Sequence, residues 1–329
     1  MKKAVFTSCN LYYLDRALVL ANSIKKHDID VDFYLILSDY VDQEYFENDC
    51  FKSIDYVIDP CDVGIPDFHS WCFQYDVIEM CTAVKGYCLK FLLEEGYDAV
   101  IYLDPDIACF SSINFLFNTL KKHSIILTPH QLEPAKDLLC LKDHELAAHK
   151  YGIYNLGFVG ASSSVEGHLF ANWWSIRLRD FCLDDIPNGM FTDQKWCDAV
   201  PSYFSNYKII RNYGCNVASW NLAERKIYIR EDNIYVNNLH KLVFYHFTKY
   251  FKEGYHQTKI YAQTTDTISI WNWYGRTIKK VRSIMPKASR TNKYDYYEDG
   301  SPISAEDRRI FRSDPLVFNP NPFQKTLQS

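Results

Sequence analysis

Apolar residues along the first hundred positions follow two spacings in turn. Residues 3–8, KAVFTS, form a short apolar run, and the segment after it, LDRALVLANSIKKH, puts Leu14, Ala17, Leu18, Ala21 and Ile24 three or four residues apart. The first reads as a strand and the second as one face of a helix. VDFYLILSD (31–39) and SIDYVID (53–59) predict two further strands, and YDVIEMCTAVKGYCLKFLLEEG (75–96) predicts a long helix closed by Gly96. AVIYLD (99–104) is apolar on both faces, as a central parallel strand is. The resulting order, β-α-β-β-α-β, is that of an open α/β sheet, which binds ligands at the carboxyl ends of its strands.

Beyond residue 110 the pattern mixes. SIILTPH, YNLGFVGAS, YKIIRNYG and KLVFYHF predict strands around a helix at 168–183 that carries Trp173, Trp174, Leu178 and Phe181. From about residue 257 the composition shifts, so a main domain over 1–256 and a partly helical C-terminal extension over 257–329 are expected. Residues 271–290, WNWYGRTIKKVRSIMPKASR, hold six basic residues and no acidic one. On a helix Trp271, Tyr274, Ile278, Val281 and Met285 share a face, and Arg276, Lys279, Lys280 and Arg282 fall largely outside it. Such a helix either packs on the main domain with a solvated rim or lies on an anionic membrane, where a lipid-linked acceptor would be found.

Charge and cysteine content narrow the class. A chain of 329 residues with a formal charge of −5 lacks the basic surplus that nucleic-acid binding needs. Its eleven cysteines include no C-x-x-C pair and read as reduced, mostly buried thiols. Asn10, Asp15 and Arg16 interrupt any signal-like apolar region, and no run reaches the roughly twenty apolar residues of a membrane span, so a cytoplasmic protein is expected.

The strand 99–104 ends in a pair of like charges, Asp104 and Asp106, around Pro105. Side chains two apart on a strand point the same way, so these carboxylates converge and repel unless a cation lies between them. A divalent ion held by one or two carboxylates and a substrate diphosphate fits, and a helix-capping pair is the plainer alternative. The D-x-D-x-[TV] motif of aspartate-nucleophile phosphohydrolases looks similar, but it follows a first strand, and Ala108 stands at its last position here.

Five segments occur in order: FTSCNLYYLDRALVLANSIKKH near the start, YLDPD, YNLGFVG (154–160), TDQKW (192–196) and FYHFTKYFK (244–252). Together, over about residues 1–256, they resemble the GT-A glycosyltransferases, most closely the retaining family 8 group that includes glycogenin. The resemblance implies a Rossmann-like central mixed sheet flanked by helices and transfer of a sugar from a nucleotide sugar, most readily a UDP-sugar, to a glycan acceptor. It also implies a divalent metal, Mn²⁺ or Mg²⁺, and a place in surface polysaccharide synthesis. Thr7, Asn10 and Tyr13 match the loop that holds the base, the tyrosine stacking on uracil. Lys85 matches a basic residue near the donor; its neighbours Val84 and Cys88 look buried, so its charge is expected to emerge at an edge. Asp104, Asp106 and His246 would bind the metal. Asn155 and Gly157 match an Asn-x-Gly that meets the donor sugar, and Asp193 and Gln194 match a catalytic Asp-Gln pair beside it, where a carboxylate supports positive charge on the anomeric carbon. Lys252 matches the lysine of a His-x-x-Gly-x-x-Lys diphosphate clamp, although Lys249 replaces the glycine and no Pro-Trp follows. His130 is a candidate on the acceptor side, with Trp196 and Trp220 as core or sugar-stacking residues.

Two other functions compete. A sugar nucleotidyltransferase would open with a glycine-rich basic phosphate loop, which TSCNLYYLDR lacks. A sugar-binding protein on the same fold would keep these residues without turning over.

Overall fold

The structure is a computed structural model that describes residues 1–39, 41, 43–288, 293–318 and 320–325. Residues 289 and 290 of the basic stretch lie outside the described residues. The strands β1 (Lys3–Cys9), β2 (Asp32–Leu37), β3 (Tyr56–Ile58) and β4 (Ala99–Leu103) form where the apolar runs predict them. After β4 come β5 (Ile107–Cys109), β6 (Ile125–Pro129), β7 (Tyr154–Ser162) and β8 (Tyr207–Ile209). Seven of these strands make one sheet in the order β8-β6-β7-β4-β1-β2-β3. β4 runs parallel to β1, but β7 runs antiparallel to both β4 and β6, so the sheet is mixed and β4 has one parallel and one antiparallel neighbour. That reversal matters: the start of β7 lies at the same edge as the carboxyl ends of β1 and β4.

The helix α1 (Leu14–His27) covers one sheet face, while α2 (Val77–Glu94) and α3 (Val165–Phe181) cover the other. Asp76 caps α2 by accepting hydrogen bonds from Ile78 N and Glu79 N, both at 2.8 Å, and Glu79 reaches back to Asp76 N at 3.2 Å. Where α2 meets α3, a Cβ on Gly86 would lie 2.7 Å from the Ser175 Cα, so only glycine permits this approach. The two layers bury fully apolar sets: Phe6, Tyr102, Val84 and Trp174 on the α2 side, Val5, Ile101, Leu103 and Ile24 on the α1 side.

A second, small sheet lies beyond the main one. It holds β5, β9 (Val217–Ala218) and a strand ending at His246, which pairs with both; between β9 and that strand, β13 (Phe244–His246), the chain forms a separate antiparallel sheet of β10 (Ile227–Arg230), β11 (Asn233–Val236) and β12 (His240–Lys241).

The expected boundary at residue 256 falls inside the helix α4 (Glu253–Tyr261). Nor is the extension a separate body. Trp271, Tyr274, Ile278 and Val281 of α5 (Thr265–Ile284) are buried in one cluster with Leu14, Ala17 and Leu18 of α1, and Arg282 pairs with buried Asp15. An aromatic ring of this size withdraws roughly 200 Å² from water, on the order of 5 kcal/mol before entropy, so the apolar face of α5 is spent on the fold. The basic rim remains outside. Farther along, Tyr294, Tyr297, Phe311 and Phe323 join the α2–α3 core, and buried Arg308 of α6 (Ala305–Ser313) donates to the carbonyls of Phe73 and Tyr294, both at 2.7 Å. No described helix is long and apolar enough to cross a membrane.

Candidate metal and donor site

The two aspartates are not on an extended strand. β4 ends at Leu103, and residues 104–107 form a turn closed by a hydrogen bond from Ile107 N to Asp104 O at 3.0 Å, so the turn rather than the strand period brings the carboxylates together. β13 runs antiparallel to β5 with His246 opposite Ile107, which sets the imidazole beside that turn. His246 Nε2 lies 3.0 Å from Asp106 Oδ1 and 3.6 Å from Asp104 Oδ2. The three residues can present ligand atoms within 4.8 Å of one another. Burial disfavours charge on Asp106, but the His246 imidazole and Arg16 outweigh it and hold the carboxyl below its ordinary range. Burial likewise works against a charged His246, and the Asp106 carboxylate overrides it, raising the imidazole.

This donor set fits a divalent cation. One imidazole edge faces two carboxylates and can donate to only one of them, and the other ring nitrogen, Nδ1, is buried without a hydrogen-bond partner. Two carboxylates and one imidazole nitrogen are a ligand set for a divalent ion. Gly157 makes the room. A Cβ there would lie 2.5 Å from His246 Cε1 and 2.8 Å from Asn155 Oδ1, so glycine at this point admits a protein side chain rather than a substrate. Gly157→Ala is expected to displace the imidazole and weaken Mn²⁺ binding by roughly 10–100-fold, the usual loss when a ligand's support is disturbed. Calorimetric titration with manganese checks this; unchanged affinity would show that His246 is not held by this contact.

Lys85 does not emerge at an edge. The residue is 2% exposed, and its ammonium donates to Asp193 Oδ2 at 2.9 Å and Asp104 Oδ1 at 3.1 Å. Burial pulls its pKa down, but Asp104 and Asp193 override this and hold it charged. Tyr102 donates to the same Asp104 oxygen at 2.6 Å, which leaves Oδ2 facing His246. Three of the residues expected in the site, Lys85, Asp104 and Asp193, thus form one chain of charge.

Asp193 is buried and also accepts from Thr192 Oγ1 at 3.1 Å. Gln194 and Asn155 are brought together and largely occupied by the protein. Gln194 Oε1 accepts from Leu156 N at 3.1 Å and Asn155 Nδ2 at 3.2 Å, while its Nε2 donates to Tyr151 O at 3.0 Å. Asn155 Oδ1 accepts from fully buried Asn216 at 2.9 Å. Asn155 Nδ2 also lies 3.3 Å from His130 Nε2, and the His130 ring packs edge-on to Trp220, which in turn meets His246 at 5.2 Å between centroids. Burial lowers His130 from 6.5 to about 4, keeping it neutral at neutral pH. Trp220 is therefore part of the site's wall, whereas Trp196 packs against the α2–α3 core.

A cavity of about 500 Å³ opens beside the Asp104–Asp106–His246 cluster, lined by Asn10, Tyr13, Lys85, Asp104 and Asp106, and by Val77 and Ile78. Thr7 is not among its lining residues. Side chains alternate across a strand, so Thr7 lies on the α1 face with Val5 while Ser8 turns to the cavity; Cys9 reaches it only because it stands at the strand's carboxyl end. Lys252 is exposed just before α4 and does not line the cavity either, although Phe251 beside it lies 5.7 Å from the Arg16 guanidinium. Arg16 was not singled out in the sequence. It is buried, stands 4.1 Å from the Tyr13 ring centroid and bonds to Tyr12 O at 3.2 Å, so it backs the aromatic wall and adds positive charge near Asp106. Its one signal is position, next to Tyr13 in a helical turn buried on all sides.

Lys249, in the place of the clamp glycine, has φ +47°. The turn keeps the left-handed backbone that glycine would adopt freely, at a cost of about 1–2 kcal/mol for a residue with a Cβ. Lys249→Gly is expected to raise stability by about 0.5–1 kcal/mol once the greater chain freedom of glycine is deducted. A thermal melt checks it; a lower midpoint would mean that the lysine side chain holds the loop.

No protein-family model matches the chain. Among curated proteins it is similar to the uncharacterized protein YfnD of Bacillus subtilis (strain 168), 26% identical over 174 residues that cover 52% of this chain and 53% of YfnD. It is also similar to the uncharacterized protein YfnF of the same organism, 24% identical over 195 residues covering 58% of this chain and 63% of YfnF. The match thus spans less than two thirds of either relative. Among solved structures, an active-site mutant of LgtC aligns with a TM-score of 0.51 and 12% identity, covering 87% of this chain and 97% of that one. LgtC is a galactosyltransferase whose structure has been solved with donor and acceptor sugar analogues. At that identity the likeness speaks for the fold: the chain has the GT-A fold that its motifs led us to expect.

Proposed function

We propose that this protein is a metal-dependent glycosyltransferase that moves a sugar from a nucleotide sugar, a UDP-sugar first of all, to a glycan acceptor with retention at the anomeric carbon. The observation that carries this is the Asp104–Asp106–His246 cluster opening onto a cavity with an aromatic and an amide, Tyr13 and Asn10, at its wall. The fold shared with LgtC, a galactosyltransferase, supports the same reading.

In this proposal Tyr13 offers its ring to the base and Arg16 holds that ring from behind. Asp104, Asp106 and His246 would hold Mn²⁺ or Mg²⁺, and that ion supplies the charge that offsets a departing diphosphate. Lys85 fixes the carboxylates of Asp104 and Asp193 relative to each other, so that Asp193 faces the anomeric carbon as positive charge builds there. Gln194 and Asn155 set the position of that segment through their bonds to Leu156 and Asn216. His130, neutral, and Trp220 form the acceptor side. No separate general base is required when the leaving phosphate takes the acceptor's proton on the same face. Lys252 would close on the diphosphate from its exposed loop. We place the enzyme in surface polysaccharide synthesis in the cytoplasm; contact with a membrane bearing a lipid-linked acceptor would run through the basic rim of α5.

Melting temperatures with UDP, GDP and CMP, each with and without manganese, test the donor site. A ligand at a hundred times its dissociation constant adds about 2.7 kcal/mol, a shift of several degrees. A shift with UDP that requires manganese is expected. A larger shift with GDP or CMP would reassign the base, and none with any nucleotide would favour a sugar-binding protein without turnover.

A further inference from the structure

The structure holds a second cavity, of about 530 Å³, at the other end of the β5–β13 strand pair from the Asp104–Asp106–His246 cluster. β5 and β13 connect the two places: Asp106 and His246 stand at one end of this strand pair, and Cys109, opposite Phe244, reaches the cavity at the other, roughly 10 Å along the strands. The end of α1, the hairpin β10–β11 and α5 complete the walls.

Its lining is basic and aromatic. Three cations face it, Lys26, Lys241 and Arg276, against one carboxylate, Asp232, in a chain whose net charge is −5. Among the described residues none of these three cations forms an ion pair, although neighbours on the same helices do: Lys25 with Asp55 at 2.5 Å and Arg282 with Asp15. Trp273 and Phe110 form an aromatic wall, their ring centroids 4.9 Å apart, and His27 adds a ring whose pKa burial and Lys26 push down. The volume lies within the roughly 300–1,000 Å³ of small-ligand pockets. Aromatic faces accept the apolar face of a sugar ring, and clustered ammonium and guanidinium groups select for carboxylate or phosphate on it.

We infer that this cavity is a binding site for an anionic saccharide, distinct from the donor site and serving to retain a charged glycan near the enzyme. The saccharide class rests on the proposed transferase reading, whereas the anion preference rests on the lining itself. Lys26, Lys241 and Arg276 bind the acidic groups, and Trp273 stacks on a ring.

The experiment is calorimetric titration of the full chain with trigalacturonate, glucose 6-phosphate, maltotriose and inorganic phosphate, for wild type and for Lys26→Gln/Arg276→Gln. Both substituted residues are exposed, so folding should persist, and the UDP–manganese melting shift is read on the same samples. Expected are saturable binding of trigalacturonate or of glucose 6-phosphate, which tells a carboxylate ligand from a phosphate one, at least tenfold weaker binding of maltotriose, and at least a tenfold loss in the variant with the nucleotide shift unchanged. No saturable binding of either acidic sugar overturns the inference, as does binding that the substitutions leave intact. Inorganic phosphate binding as tightly as the sugars also overturns it. Because the nucleotide shift is recorded in parallel, failure of this site and failure of the donor site are separable.

Discussion

Asp106→Asn is expected to abolish the manganese-dependent stabilisation by UDP and to lower sugar transfer by roughly a hundred- to a thousandfold or more, while leaving the unliganded protein folded. The loss follows from removing one of the two carboxylates proposed to hold the cation that would offset a departing diphosphate; removing a single preorganised group of this kind costs about 10²–10³ in rate. The fold should survive because asparagine keeps the shape and its amide oxygen can still accept from His246 Nε2, which lies 3.0 Å from Asp106 Oδ1. Taking away one of two adjacent like charges also relieves Asp104, so the change in unliganded stability should stay within about 1 kcal/mol. The measurement is a pair of melts, with and without UDP and manganese, beside a transfer assay. A variant that keeps the nucleotide shift would move the metal away from this turn, and one that simply fails to fold would show that the His246–Asp106 contact is structural.

The contrast between Asp106 and Thr7 shows what the sequence could and could not convey. Elements were legible because strand and helix periods are local: β7 begins and ends at the residues its apolar run marks, and α5 buries Trp271, Tyr274, Ile278 and Val281 as its spacing requires. The side of the sheet a residue faces was not, since it depends on register. Thr7 and Ser8 are adjacent in an apolar run, and only the pairing of β1 decides that Ser8 reaches the cavity. That Asp104, Asp106 and His246 come together was readable from motifs, yet their geometry comes from a turn and from the antiparallel pairing of β13 with β5. The tail was hardest to read. Its aromatic residues are sparse and interrupted by turns, and they become core only because α2 and α3 leave an apolar edge for Tyr294, Phe311 and Phe323 to cover.

Lys85 is where reading from neighbours failed most instructively. Val84 and Cys88 correctly indicated a buried helix face, and a lysine there should carry its charge outward; instead its partners arrive from residues 104 and 193, too distant in sequence to be seen. Lys85→Met is therefore expected to cost about 3–5 kcal/mol, a large part of the 5–15 kcal/mol of a typical domain, because it strands two carboxylates rather than one. Asp193 is the more enclosed, its side chain 4% exposed against 24% for Asp104, and burial already pushes its carboxyl up. Without the ammonium it should rise further. A folded-state carboxyl that titrates above its unfolded value binds more protons folded than unfolded, so stability falls as pH rises through that range. Lys85→Met should accordingly be less damaged at pH 5 than at pH 8. Adding Asp193→Asn removes the stranded charge and should restore at least 1 kcal/mol of the loss while leaving transfer abolished, since Asp193 is also proposed to face the anomeric carbon. Urea unfolding of the wild type, both single variants and the double closes the cycle, with equal slopes required for the comparison. If Asp193→Asn adds its own cost to that of Lys85→Met instead of offsetting it, the buried lysine is not held there by the aspartate, and the chain of charge from α2 to the metal turn must be redrawn.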